Sequence, residues 1–158
     1  MPRLDKERAT SMSTKVCKID NPNAVIGELA KRFQEKYGLD ALDLFKPVLR
    51  EYGYHAGVRL RKKMTDKGFA ERVEGWMAPY IKTGYCSVLE EGPDHVMVRG
   101  TDCTLNLEGS NQALCDTCMS IDEGLLSALA EKEISIDIIK SMARGDECCL
   151  VRFSRIDS

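Results

Sequence analysis

At 158 residues the chain is long enough to bury a core of its own and too short for two comfortable domains. Hydrophobic residues make up 43% and charged residues 30%, which excludes a disordered chain, and a net charge of -2 gives no electrostatic ground for nucleic acid or an anionic membrane as partner. No apolar run reaches the roughly 20 residues that cross a bilayer, and the charged opening Met1-Pro2-Arg3-Leu4-Asp5 lacks an apolar signal core. Residues 1–14 read as a mobile polar tail and residues 15–158 as a single domain in the cytoplasm.

In chain order the first half predicts helices. Asp20-Asn21-Pro22 supplies a cap and a proline suited to the first helical position, and Val25, Ile26, Leu29, Ala30 and Phe33 recur at helical spacing until Gly38. A second helix is expected from Asp40, with an apolar stripe from Leu42 to Met64 and a bend at Gly53. A third starts at Thr65-Asp66 and buries Phe69, Val73, Trp76, Met77 and Tyr80, with Pro79 ending it or distorting its last turn. After Gly84 the pattern changes to strands over 85–90 and 95–99, joined by the turn Gly92-Pro93-Asp94. The segment 103–107 extends the second strand or begins a helix. A short helix over 122–130, an alternating strand over 133–142 and a closing strand over 148–153 complete the chain. The fold class is α+β: an N-terminal helical layer packed on a small C-terminal antiparallel sheet.

Cysteine is the unusual residue. There are seven, at 17, 86, 103, 115, 118, 148 and 149, and in a reducing compartment they stay free thiols. Cys115-Asp116-Thr117-Cys118 is the sharpest local signal, because two thiols so spaced can turn onto one metal or form a redox pair. Cys103, Cys148, Cys149, His95 and acidic neighbours such as Asp116 are the available completers. The competing reading is that these thiols are small apolar side chains in a core. Cys148 and Cys149 lie on one strand and must point to opposite faces, so one of them at most shares a site with Cys115 and Cys118. His55 and Arg59 stand four residues apart on one helix face, as an anion-binding pair or as a solvated polar face. Trp76 is packing by its spacing, with a lining role over a ligand cavity open to it.

The C-terminal order is a strand, a turn, a strand, the cysteines, then a helix opened by Asp122, Glu123 and Gly124. It closes with Gly145-Asp146-Glu147-Cys148-Cys149-Leu150-Val151-Arg152-Phe153. This resembles the family named for L-2-amino-thiazoline-4-carboxylic acid hydrolase, in which a Gly-Asp turn leads into a cysteine-bearing last strand. The resemblance makes Cys149 the family cysteine, with Cys118 followed by Asp122, or Cys115 followed by Asp116, upstream. Val151 departs from it, because the family carries an aromatic there. The pattern is also similar to the 4-vinyl-reductase-type small-molecule-binding domain, whose zinc-holding members want a thiol where this chain has Ser141.

The resemblance implies water addition to a small thiazoline ring, with Cys115, Cys118 and Cys149 as catalytic thiols. The same three with Cys103 are the alternative ligands of a zinc or iron ion. Arg59 or Arg152 would hold a substrate carboxylate, with His55 and Trp76 beside it. The alternative is a non-catalytic sensor or carrier that holds a small molecule or a metal. A sheet edge or helix face offers a route to a homodimer.

Overall fold

The computed structural model describes residues 19–156, so the expected tail over 1–14 and Cys17 lie outside the described residues. Helix α1 (Pro22–Tyr37) opens on Asn21, whose side chain accepts from the Ala24 N–H at 2.9 Å, and stops at Gly38 with φ of 86°. A 3-10 turn (Leu39–Leu44) leads into α2 (Phe45–Arg61), which begins five residues later than Asp40. That start places Pro47 in the first turn of α2, where its missing N–H has no helical partner to lose. Helix α3 (Phe69–Lys82) carries Pro79 inside its last turn and continues past it, so the proline neither ends nor starts a new element.

Strands β1 (Cys86–Glu91) and β2 (His95–Gly100) form a hairpin. Then come α4 (Gln112–Cys118), α5 (Ser120–Ala130), β3 (Ile134–Lys140) and β4 (Cys149–Arg155). The sheet is antiparallel throughout, in the order β1-β2-β4-β3. The segment 103–107 is neither strand nor helix: it crosses α1 as irregular chain and buries Leu107 completely. Helix α4, which the apolar spacing did not announce, is fixed by Asn111 accepting from the Leu114 N–H at 3.0 Å.

Two cores hold the layers together. In the larger, Phe69, Val73 and Met77 of α3 and Leu125, Leu126 and Leu129 of α5 cover Val96, Val98, Val151 and Phe153 on one face of the sheet. The smaller gathers Ala30, Leu42, Leu107, Leu114 and Cys118 between α1 and α4. Helices α2 and α5 approach so closely that a Cβ at Gly53 would meet the Ile121 carbonyl, and one at Gly124 the Arg50 carbonyl. Gly53 therefore serves a helix crossing instead of a bend. Among the described residues no helix is long and apolar enough to cross a membrane.

Candidate functional site

The sheet's twofold alternation decides what its helix-covered face can present. Val96, Val98 and Gly100 of β2 point inward, as do Cys149, Val151 and Phe153 of β4 and Cys86 and Val88 of β1. Gly100 and Cys149 pair across the end of the sheet, and because glycine offers no side chain there, space opens beside them. Helix α3 covers this end with Trp76, Met77 and Tyr80, and the junction of α4 and α5 closes it with Cys118, Met119, Ile121 and Asp122. The result is a cavity of about 180 Å³. Trp76 and Phe153 meet edge to face in its wall, with ring centroids 6.2 Å apart. Its mouth, at Asn23, Tyr85, Asp102 and Thr104, widens into a more polar vestibule bordered by Asp20, Cys103 and Glu108.

Asp122 is the one charged side chain deep in this wall. The surface it keeps opens into the cavity, while protein surrounds the carboxyl on its other sides. Burial disfavours the carboxylate and pushes its pKa from 3.8 up to about 7. Burial acts on the thiols in the same sense. Cys118 is pushed up to about 12, first by desolvation and then by the neighbouring Cys115, Cys103 and Asp122, and Cys115 reaches about 11, again chiefly by desolvation. Cys86, Cys103 and Cys149 are raised for the same leading reason. At neutral pH these thiols are protonated, and a protonated thiol is a poor nucleophile.

The structure divides the residues singled out in the sequence. Cys118, Cys149 and Trp76 line the cavity. Cys103 borders the vestibule, and Cys115 packs against the smaller core. Cys148, directly before β4, is 5% exposed and belongs to the interior. Among the described residues no group of three or more His, Cys, Asp or Glu side chains is arranged to hold a metal ion, although Cys115 lies near enough to Cys103 and Cys149 to feel their charge. His55 and Arg59 lie exposed on α2 and outside the cavity lining, with His55 4.0 Å from Glu51 one turn away. Arg152 points to the outer face of the sheet, where its guanidinium meets Glu90 at 3.0 Å beside His95, itself 2.9 Å from the same carboxylate. The alternation that turns Cys149 inward turns Arg152, three positions on, outward.

The Gly145-Asp146 turn has a structural task. Gly145 takes φ of 98°, and Asp146 accepts from the Ser141 N–H at 2.8 Å and from Arg144 at 2.7 Å. These bonds hold the Asp146 carboxyl below the usual range, the Ser141 N–H contributing most. Ser141, the neighbour it bonds, is completely buried.

No family model matches the chain, and no curated protein matches it in sequence. Solved structures do match in fold. The phenol-responsive sensory domain of the transcription activator PoxR, determined with phenol, superposes with a TM-score of 0.59 at 18% identity, covering 84% of this chain and 74% of that one. A trafficking protein particle complex subunit 3 from Naegleria fowleri, covalently bound to palmitic acid, superposes with a TM-score of 0.53 at 12% identity, covering 85% and 93% respectively. The chain shares with them a small α+β fold.

Proposed function

We propose that this chain is a small-molecule-binding domain of the sensor or carrier kind, with its ligand held between α3, α5 and the inner face of the sheet. The observation that carries the reading is the cavity itself: about 180 Å³, walled by Trp76, Met77, Val98, Val151 and Phe153, with one buried carboxyl. A dry apolar cavity of about 150 Å³ takes up benzene in another protein, so this volume suits a single-ring compound. Two neighbours in fold carry small molecules, phenol in one and a fatty acid in the other, which supports the same use here.

The hydrolase reading needs an activated thiol or a metal-bound water. Burial keeps Cys115, Cys118 and Cys149 protonated, and the described residues assemble no metal site. Arg59 and Arg152, the proposed clamps for a substrate carboxylate, do not face the cavity. Binding without turnover is therefore the better-supported function.

Gly100→Leu tests it. Gly100 shares the inward face with Val98, and a Cβ there would stand at ordinary contact distance, 3.4 Å from the Cys149 Cβ and 3.9 Å from the Asp102 and Tyr85 carbonyl oxygens, so the backbone tolerates a side chain that fills the cavity. A panel of single-ring aromatics is expected to raise the melting temperature of the wild type and leave that of Gly100→Leu unchanged. Equal shifts in both proteins would place binding elsewhere and refute the proposal.

A further inference from the structure

Around this cavity the sign of charge is one-sided. Asp122 stands in its wall, Asp102 at its mouth, and Asp20 and Glu108 border the vestibule; no Lys, Arg or His among the described residues lines either chamber. Asp122 has no hydrogen-bond or ion-pair partner among the described residues. A carboxylate so placed has its open side turned to the cavity and no protein donor or cation to balance its charge. Around it stand Trp76, Tyr80 and Phe153, rings whose faces attract a cation. Resting on the reading of the cavity as a small-molecule site, we propose that its ligand is a small organic monocation, a protonated amine on a single-ring or branched apolar body, with Asp122 as its counter-ion.

Each part of such a ligand has a complement. The apolar body fills the space between Trp76, Phe153 and Val151, the ammonium group donates to Asp122, and the acidic vestibule raises the local concentration of cations at the mouth. A carboxylic acid, including a fatty acid or a thiazoline carboxylate, would bring a second negative charge beside Asp122 with no cation to offset it. A cationic ligand differs in this from the neutral phenol and the fatty acid named for the two neighbours in fold.

Three probes of matched size separate the possibilities: benzylammonium, benzyl alcohol and benzoate, titrated calorimetrically into the wild type and Asp122→Asn. Benzylammonium is expected to bind the wild type at pH 8 at least tenfold more tightly than benzyl alcohol, with benzoate undetectable. Asp122→Asn is expected to erase that gap and keep the alcohol. Between pH 8 and pH 6 the wild type should lose about tenfold in affinity for the amine as Asp122 takes up its proton, and little for the alcohol. The other titratable groups facing Asp122 are Tyr80, Tyr85, Cys86, Cys118, Cys149 and Asp102; burial holds the three thiols protonated over this range. The wild-type pH series needs no variant to fold. If the alcohol binds as tightly as the amine, or the preference for the amine survives Asp122→Asn, the cation assignment is overturned while the cavity reading stands. If none of the three binds, both are overturned.

Discussion

Asp122 is costly to the folded state before any ligand arrives. An unfolded carboxyl loses its proton near 3.8, whereas in the folded chain Asp122 keeps it to about 7. The folded state is therefore favoured at low pH, and that advantage is lost as pH rises from about 4 to about 7, by roughly 4 kcal/mol in all. Asp122→Asn, which carries no charge to desolvate, is expected to flatten this dependence. In urea denaturation the wild type should lose about 3 kcal/mol relative to Asp122→Asn between pH 5 and pH 8; parallel curves would show that the carboxyl is solvated. The sequence marks this residue weakly, since an aspartate in the first turn of a helix is also an ordinary dipole partner. A sharper cue is that Asp122 precedes Leu125, Leu126 and Leu129 on a helix buried almost all round. The outward placement of Arg152 was legible too, because residue parity on β4 links it to Cys149.

At the scale of elements, periodicity located every strand and the three large N-terminal helices, because each buries one face. It failed where another interaction sets the structure. Helix α4 has seven residues, too few for a pattern, and the Asn111 cap defines it. The segment 103–107 has a strand-like composition but pairs with no strand, because β2 ends at Gly100 against the start of β4. On α2, Gly53 and Gly57 are four residues apart and lie on one face, the spacing of a close helix crossing. His55 and Arg59 stand off that face and stay in solvent. Gly53→Ala is expected to push α2 off α5 and cost about 1–3 kcal/mol in chemical denaturation. A neutral effect would mean that the two helices can separate freely. Gly145→Ala should cost about 1–2 kcal/mol through its left-handed backbone and leave ligand binding unaltered, as a turn outside the cavity requires.

For the molecule as a whole, the two-layer α+β arrangement follows from helical periods in the first half and alternating ones in the second. The sites between the layers do not follow so directly, because they depend on which residues of distant segments meet. One surface still lacks cover among the described residues. Leu44, Val48 and Tyr52 of α2 and its leading turn are 70%, 66% and 60% exposed, and Val25, Leu29, Phe33 and Tyr37 run along α1 beside them, joined by the contact of Phe33 with Phe45. With on the order of 100 Å² open at each such side chain, this face approaches the roughly 800 Å² that a standard interface takes from each partner. The homodimer is proposed on this face. Sedimentation velocity should then give a dimer for the wild type and a monomer for Leu44→Glu with Val48→Glu. A wild-type monomer at high concentration would remove the proposal.

The central claim, that the cavity between α3, α5 and the sheet binds a small molecule, is tested most directly by the chain's single tryptophan, Trp76, which lines it. Titrating the protein at pH 8 with benzylammonium, benzyl alcohol and benzoate in turn while following Trp76 emission should give a saturable change with at least one of them in the wild type and with none in Gly100→Leu. A wild-type emission that stays constant up to millimolar concentrations of all three, or a change that Gly100→Leu reproduces, would contradict it.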